Sequence, residues 1–397
     1  MDNQQMPPPM QPGGSYSYKP PKKSSQKGKI NPWVVVAAFL LIAVISGWWF
    51  FKYDNEKRKG TPIEITNTED NTTALKDYPI ANTGEVSPIS GLACENWNRR
   101  PIAVMQPADI PARPPAGFSE ADMVIEMPVI TASITRLMAL YICNDPPEVG
   151  SMRSSRHDFI HLAKGFDAIY VHWGGSHFAK EILNQGVIDN MNCNNDGGKS
   201  AGQCCFRKEG MSRGVDSGYA KFPKLLECAK EFEYSMENTF SGYPHQQDAP
   251  MNQRINKGHL RIGFAGKFAV EYDYDKESNS YLRSWGGNPD IDRNNQKRIA
   301  PRNVVVLMAR SEQIEGQYNN VQLGDPWYDE SDSGEAFYYI NGQEIRGKWK
   351  KDKTNINSKL MFMDQNGNDV AFVPGQIWVE ILEPGQALKW KTEADIK

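Results

Sequence analysis

The sequence contains one long run without charges, from Trp33 to Phe51. A helix needs about twenty predominantly apolar residues to cross the hydrocarbon core of a bilayer. The run ends in Trp48, Trp49, Phe50 and Phe51, and aromatic rings favour the headgroup zone. It is longer than the apolar part of a signal peptide, and no pair of small residues is spaced for cleavage. We therefore predict a transmembrane helix at residues 31–52 that tethers the rest of the chain to the cell membrane.

Polar segments flank the predicted helix on both sides. Residues 1–30 are rich in Pro, Gln, Ser and Lys, with too few aliphatic side chains to form a core, and predict a disordered cytoplasmic tail. Residues 53–87 consist mainly of Thr, Asn, Asp, Glu and Lys without hydrophobic periodicity, which predicts a flexible linker.

The cysteines indicate the compartment. All six follow the predicted span: Cys94, Cys143, Cys193, Cys204, Cys205 and Cys228. An even number is typical of a protein that folds where disulfides persist, so we expect most of the chain to be extracytoplasmic. Reduced thiols in a cytosolic domain are the alternative. The spacing does not fix the pairing, although adjacent cysteines such as Cys204 and Cys205 usually have different partners.

The charged residues argue against nucleic-acid binding. The formal net charge is −3, and the lysines and arginines are scattered rather than arranged in a stripe. The length beyond the predicted helix suits two domains.

Residues 88–259 show the pattern of an α/β domain. Short apolar runs bounded by Pro and Gly predict buried strands at 101–105, 122–127, 135–143 and 167–173. Helices are predicted at 154–164 and 177–185, closed by Gly165 and Gly186, and from Pro223 to about Thr239. Alternating strands and helices predict a mixed sheet flanked by helices.

Residues 260–397 show strands without helices. The turn dipeptides Asn341-Gly342, Asn366-Gly367 and Pro374-Gly375 separate β-rich runs such as 336–340 and 377–382. We predict a mostly-β domain. It contains no recognisable catalytic constellation, so it is expected to have a structural or partner-binding role.

The strongest chemical signal is the segment Arg153-Ser154-Ser155-Arg156, whose serines are predicted to cap the first helix. A helix N-terminus already carries partial positive charge, so arginines are unfavourable there unless a negative group is near. N–H groups, serine hydroxyls and guanidinium groups together suit a phosphate. The alternative is an ordinary ion-pair network with Asp122, Glu126 or Asp158.

Further residues extend the predicted anion site. Arg136 opens an apolar strand, and His172, Gly174, Gly175 and Ser176 follow the end of another, where ligands of α/β sheets bind.

Two carboxylates complete this prediction, because Asp122 and Glu126 share one face of a strand and could pair with the arginines or hold magnesium. Structural pairing is the alternative. His157 and His161, one helical turn apart, could bind zinc, but the sequence shows no third ligand.

At these residues the chain resembles the YerB-like lipoproteins of bacterial envelopes, a family defined by a two-part domain of unknown function. The resemblance covers roughly residues 88–383 and is carried by these motifs: Pro88-Ile89-Ser90-Gly91-Leu92, Arg100-Pro101-Ile102-Ala103-Val104-Met105, Ala112-Arg113-Pro114, Glu120-Ala121-Asp122, Ile134-Thr135-Arg136, Arg153-Ser154-Ser155-Arg156, Asp167-Ala168-Ile169-Tyr170-Val171-His172, Tyr281-Leu282-Arg283, Asn303-Val304-Val305-Val306, Gly347-Lys348-Trp349 and Pro374-Gly375-Gln376-Ile377-Trp378.

The resemblance implies a membrane-anchored extracytoplasmic protein with an α/β domain followed by a β domain. Family members typically carry a lipid-modified cysteine, whereas this chain has an apolar run instead. Relatives also have a Pro-His-Asn-like stretch after a Phe-x-Arg segment. Here Phe206-Arg207 is followed by Arg213-Gly214-Val215-Asp216, so no role of that histidine transfers.

The predicted α/β domain is also loosely similar to the LytR-CpsA-Psr envelope phosphotransferases, in the order of an arginine strand, an arginine loop and a glycine turn. That similarity implies arginines clamping a polyprenyl pyrophosphate, with magnesium held by Asp122 or Glu126. The Arg-Asp pair of those enzymes is absent here.

Taken together, the sequence predicts a cell-envelope protein that binds a phosphorylated lipid carrier or an acidic glycopolymer. No cofactor is required for binding. A magnesium-dependent phosphotransferase or pyrophosphatase, and a scaffold for other envelope proteins, are the alternatives.

Overall fold

The computed structural model describes residues 85–395. The predicted tail, transmembrane helix and most of the linker lie outside this range. Within it, none of the helices is long and apolar enough to span a bilayer.

The part of the described chain before residue 258 contains three α-helices and eight strands. The helices are α1 (His157–Gly165), α2 (His177–Asn184) and α3 (Phe222–Glu231). The strands are β1 (Ile102–Pro107), β2 (Met123–Pro128), β3 (Thr135–Tyr141), β4 (Val149–Gly150), β5 (Ile169–His172), β6 (Asn190–Asn192), β7 (Phe206–Arg207) and β8 (Gly218–Ala220).

The remaining described residues form twelve strands, with one short 3-10 turn at Gly266–Phe268. They are β9 (Gly258–Ile262), β10 (Val270–Asp275), β11 (Ser280–Trp285), β12 (Asn288–Pro289), β13 (Asn303–Met308), β14 (Ser311–Glu315), β15 (Tyr318–Val321), β16 (Ser333–Ile340), β17 (Gln343–Lys350), β18 (Met361–Asp364), β19 (Ile377–Leu382) and β20 (Leu388–Thr392).

A ten-stranded mixed sheet dominates the described residues. Its order is β18-β17-β16-β13-β19-β2-β3-β1-β5-β6. β19 lies between β13 and β2 and runs parallel to both. Strands from both sides of residue 260 thus share one sheet, which confirms the mixed, sheet-rich class with few helices. The division into domains at 88–259 and 260–397 stays a prediction.

The large sheet is buried on both faces, as the apolar runs predict. Along β3, Met138 and Leu140 face one cluster together with α1 and α2, whereas Leu137 and Ala139 face the other. The second cluster contains α3 and a five-stranded sheet of order β12-β11-β10-β9-β20. Full burial of such a side chain contributes about 1.5–3 kcal/mol to stability, so packing on both faces stabilises the large sheet.

Two predicted helix boundaries are wrong. The first helix begins at His157 and its N-cap is Arg156, without a side-chain cap, so Ser154 and Ser155 do not cap it. The predicted helix from Pro223 to Thr239 ends at Glu231, because the following chain turns back and Met236 accepts a hydrogen bond from the Arg100 N–H. Tertiary pairing of the backbone overrides local helical preference here.

The two glycines that were predicted to close helices, Gly165 and Gly186, differ in position and conformation. Gly186 follows α2 with a φ of 70°, as a C-terminal glycine should. Gly165 is the last residue of α1, and Asp167 instead takes the left-handed conformation, with a φ of 50°. A Cβ at Gly165 would lie 2.5 Å from the Ser358 carbonyl oxygen, so this glycine permits close packing.

All six cysteines form disulfides, as expected: Cys94–Cys143, Cys193–Cys205 and Cys204–Cys228. The adjacent Cys204 and Cys205 have different partners, as the sequence predicted.

Candidate anion site

Arg136 lies at the edge of the large sheet that is formed by the ends of its strands, not by an outer strand. It is the second residue of β3, opposite Pro107 at the end of β1 and next to Met127 near the end of β2. β3 is antiparallel to both β1 and β2, and β5 is parallel to β1. The carboxyl ends of β1, β2 and β5 therefore lie at this edge, beside the start of β3. Ligands of open α/β sheets bind beyond such strand ends.

The segment that carries Arg153 and Arg156 is held at the same edge by backbone hydrogen bonds. The Arg153 N–H donates to the Met105 carbonyl at 2.9 Å, and the Trp173 N–H donates to the Arg153 carbonyl at 3.0 Å. The Ser155 N–H donates to the Gly174 carbonyl at 2.9 Å. The segment therefore runs between the end of β1 and the residues after β5, which explains why its serines are not helix caps.

Arg136 is a buried guanidinium without a carboxylate partner. Its side chain donates from Nη1 to the Ser154 carbonyl at 2.8 Å, and its residue is only 7% exposed. Among the described residues, its Nε has no hydrogen-bond partner and no carboxylate lies within 4.0 Å of it. Burial lowers its pKa well below the ordinary value, and the charges of Arg156 and Arg153 lower it further.

Arg156 has the same deficit of negative charge. Its Nη1 donates to the Ser155 carbonyl at 3.2 Å, and its guanidinium lies 5.4 Å from the ring centre of Tyr318. Its buried Nε likewise lacks a partner in the described chain. Burial lowers the pKa of Arg156, which the nearby Tyr318 and Asp158 only partly oppose.

Arg153 differs, because it is already paired. Its Nη2 lies 3.2 Å from oxygens of both Asp109 and the buried Asp216. Arg213 shares the same two carboxylates, at 3.3 Å and 2.5 Å. Arg153 and Arg213 are therefore balanced by two aspartates, whereas Arg136 and Arg156 form no ion pair among the described residues and are attracted only at longer range, by Asp109 and Asp158 respectively.

The other predicted site residues hold the edge in place. Ser155 Oγ accepts from the Tyr170 hydroxyl at 2.9 Å, and Ser176 caps α2 by accepting from the Ala179 N–H. His172 Nδ1 lies 2.7 Å from the Gly174 carbonyl oxygen. These contacts fix the turn on which the arginine segment rests.

The glycine turn has its own close contacts. The Gly174 N–H donates to Asn192 Oδ1 at 2.8 Å, and its φ of 72° suits glycine. The bridge between Ser155 and Gly175 joins this turn to the arginine segment.

The structure does not bring Asp122 or Glu126 to the three arginines. Asp122, at the opposite end of β2, accepts hydrogen bonds from Ser90 and from the Ile142 and Cys143 N–H groups. Glu126 pairs with Leu137, so its side chain points to the sheet face opposite that of Arg136. Both carboxylates have other partners, and neither pairs with an arginine of the site.

Glu126 belongs to a second, fully buried cluster around Arg283. The guanidinium lies 2.5 Å from oxygens of Glu126 and Asp290 and 3.7 Å from Glu380. It also lies 4.5 Å from the ring centre of Trp378. Burial lowers the pKa of Arg283, but Tyr272 and the three carboxylates outweigh it, so the net shift is upward.

Sequence reasoning missed Asp109, Asp216, Arg213, Tyr170 and Tyr318. Asp109 precedes a short 3-10 turn, Ile110–Ala112, and Tyr318 opens β15, far away in the chain. The motif Arg213-Gly214-Val215-Asp216 was the only signal, since it falls where relatives have a different stretch.

The two histidines of the zinc prediction, His157 and His161, have different neighbours in the structure. His161 Nε2 lies 3.3 Å from the Leu323 carbonyl oxygen. His157 instead clusters with the buried carboxylates of Asp158 and Asp325, the described group with metal-ligating chemistry.

The comparisons with known proteins agree on one family. The chain matches "Protein of unknown function (DUF3048) N-terminal domain" at residues 89–235 and the corresponding C-terminal domain at residues 260–379. It is 30% identical over 303 residues to "Putative lipoprotein YerB" of Bacillus subtilis (strain 168), covering 75% of this chain and 86% of that protein.

A solved structure is similar as well. The crystal structure of the Bacillus subtilis YerB protein superposes with a TM-score of 0.66 at 27% identity, covering 77% of this chain and 99% of that one. The chain therefore belongs to the family of unknown function DUF3048, which includes YerB.

Proposed function

We propose that this protein is a membrane-anchored, extracytoplasmic envelope protein that binds a phosphorylated anion through Arg136, Arg153 and Arg156. The observation that carries the proposal is Arg136, a buried arginine with no carboxylate beside it and two further arginines close by. An uncompensated buried charge is destabilising, so such an arrangement is stabilised by an external anion.

The chemistry of the groups favours a phosphate or pyrophosphate over a single carboxylate. Guanidinium groups donate in a planar fork that matches phosphate oxygens, and several converging arginines suit a multiply charged anion. The two arginines without an ion pair, Arg136 and Arg156, would neutralise up to about two negative charges, which matches one phosphate group. A phosphorylated lipid carrier or an anionic glycopolymer presents this group.

The location in the envelope is supported by two observations. A relative is named as a lipoprotein, and this chain has three disulfides, which persist in oxidising compartments. The apolar run at residues 31–52 would replace the lipid as the anchor.

Binding is favoured over phosphotransfer. A phosphotransferase of the LytR-CpsA-Psr type needs magnesium beside the bound phosphates. Asp122 and Glu126, the residues expected to hold it, lie away from the arginines and have other partners.

The test is calorimetric titration of the full-length chain in detergent with inorganic pyrophosphate. We expect saturable binding that weakens with rising salt, and a loss of at least about tenfold in affinity for Arg136→Met or Arg156→Met, since hydrogen bonds to charged groups contribute about 1.5–3 kcal/mol each. Arg346→Met is the control, because Arg346 is exposed and forms an ion pair with Glu344 outside the arginine cluster.

No saturable binding by the native chain, or equal losses in the control, would contradict the proposal. Magnesium-dependent release of phosphate by the native chain would favour the phosphotransferase instead.

A further inference from the structure

Next to Arg156, the start of α1 meets the loop after β15 in a buried cluster of acidic groups. His157 and Asp158 come from α1, and Asp325 and Asp329 come from the loop. His157, Asp158 and Asp325 are at most 1% exposed. One ring nitrogen of His157 and one carboxylate oxygen from each of Asp158 and Asp325 lie within 4.8 Å of one another.

From this geometry we propose that His157, Asp158 and Asp325 bind a divalent transition-metal ion, such as Zn²⁺ or Mn²⁺. The inference does not depend on the anion site, because the ion alone is the ligand. Four steps support it. They concern the polar atoms without a partner, the hydrogen bonds that orient the same side chains, the lack of a lysine or arginine partner among the described residues, and the types of ligand atom.

The first step is that each ligating side chain keeps one buried polar atom free. Asp158 Oδ2, Asp325 Oδ2 and His157 Nδ1 have no hydrogen-bond partner among the described residues. Unsatisfied buried polar atoms are rare in folded proteins and are costly. All three belong to the side chains of this cluster, and a cation that accepts their lone pairs would satisfy them.

The second step is that the other atoms of the same side chains are fixed. Asp158 Oδ1 accepts from the Val321 N–H at 2.8 Å, and Asp325 Oδ1 accepts from the Trp327 and Tyr328 N–H groups at 2.6 and 2.7 Å. Each carboxylate thus has one oxygen anchored by backbone and one left over. Outer contacts of this kind orient ligands in metal sites.

The histidine is oriented in the same way. His157 Nε2 lies 2.9 Å from Asn320 Oδ1, and the Asn320 amide donates to Asp329 Oδ1 at 2.8 Å. The Asn320 oxygen therefore accepts from Nε2–H, and Nε2 also lies 3.4 Å from Asp158 Oδ1. Nδ1 keeps a free lone pair. Metal-ligating histidines commonly donate their second ring N–H to an oxygen.

The third step is the missing counter-charge. In the described chain, neither Asp158, Asp325 nor Asp329 has a lysine or arginine nitrogen within 4.0 Å. The amine of Lys351, the nearby buried lysine, donates to the Ile356 and Ser358 carbonyls instead. At longer range Arg156 attracts Asp158, but it forms no ion pair with it.

The fourth step is the choice of ion. Calcium and magnesium prefer oxygen ligands, whereas an imidazole nitrogen with carboxylates suits zinc and manganese. Three ligands that all lie about 2.1 Å from one ion are on average at most about 3.6 Å apart, so ligand atoms within 4.8 Å of one another would each move by roughly 1 Å to close the site. The aromatic rings of Phe178 and Tyr328 pack on His157 and shield this position from water.

The rival explanation is protonation. Asp158 and Asp325 could each carry a proton or share one, in which case the cluster would need no metal. The two explanations differ in what removing one carboxylate does to metal binding.

The experiment uses the full-length chain, stripped with a chelator and titrated with Zn²⁺ and Mn²⁺, with Mg²⁺ and Ca²⁺ as comparators. We expect one Zn²⁺ or Mn²⁺ per chain by elemental analysis, and a rise in melting temperature on adding it. Asp158→Asn and Asp325→Asn keep the anchored oxygen and the shape, and should weaken binding by at least about 100-fold, because even changes to outer contacts cost about 10–100-fold.

Asp273→Asn is the matched control, because Asp273 forms an exposed contact of 2.8 Å with His259, the same pair of residue types without burial. It should leave metal binding unchanged. The inference is overturned if the native chain binds neither ion, if it binds only Mg²⁺ or Ca²⁺, or if the two asparagine variants bind as the native chain does.

Discussion

Arg136 and Arg283 are both buried, but they differ in the charged groups that surround them. Arg283 is fully buried with three carboxylates and two tryptophan rings around it. Arg136 has no carboxylate within 4.0 Å among the described residues and is repelled by two other arginines. The cluster around Arg283 is complete within the protein, whereas around Arg136 the aspartates Asp109 and Asp216 pair with Arg153 and Arg213 and not with Arg136. The comparison separates an arginine that stabilises the fold from one suited to a ligand.

The largest expected effect is at Arg283. Arg283→Met leaves the buried carboxylates of Glu126, Asp290 and Glu380 without their cation, so we expect a loss of about 3–5 kcal/mol in the free energy of unfolding. Urea denaturation measures it, with the exposed Arg346→Met as a control that should change by less than about 0.5 kcal/mol. If Arg283→Met loses no more free energy of unfolding than the control, Arg283 does not stabilise the fold and the comparison with Arg136 is wrong.

A pH-dependent effect is expected at Glu380. Burial raises the pKa of Glu380 well above its ordinary value of 4.5, and the charge of Glu126 adds to this. A raised carboxyl pKa means that the folded state holds the proton more tightly, so its stability contribution is complete below about pH 4.5 and is lost as the pH rises.

Glu380→Gln cannot ionise, while its oxygen can still accept from the Tyr272 hydroxyl. The advantage of this variant over the native chain should therefore grow with pH, by up to about 1.4 kcal/mol per pH unit. Denaturation curves at about pH 5 and about pH 8 test this. A constant difference between the two would show that Glu380 binds protons equally in the folded and unfolded states, so that its pKa is not raised by folding.

The smallest effect on stability is expected at Arg136. Without an anion, Arg136→Met removes one hydrogen bond to Ser154 but also an uncompensated buried charge, so the free energy of unfolding should change by no more than about 1 kcal/mol. Added pyrophosphate should stabilise the native chain and not this variant. If Arg136→Met destabilises as strongly as Arg283→Met, Arg136 is structural and the anion site loses its main support.

Much of the fold could be predicted from the sequence, because strands buried on both faces leave uninterrupted apolar runs. β1, β2, β3 and β19 were found in this way, within two residues of their bounds. The edge at which Arg136, Arg153 and Arg156 meet also followed from strand ends. Local patterns sufficed for these features, since each depends on neighbours in the chain.

Contacts between distant segments could not be predicted. Asp158 accepts from the N–H of Val321, 163 residues away, and Glu126 pairs with Arg283, 157 residues away. A carboxylate in a strand predicts a charge partner, but nothing in the strand says which cation the fold will bring. The proposed metal site was missed for the same reason, because Asp325 lies in the loop after β15.

The position of β19 has a consequence for how the protein is made. This strand, near the C-terminal end of the chain, lies between β2 and β13 in the middle of the large sheet. The first half therefore cannot complete its sheet until residues 377–382 have left the ribosome, and pairings so distant in sequence form slowly. A nascent chain stopped before residue 377 would expose the edges of β2 and β13, which are surfaces for aggregation.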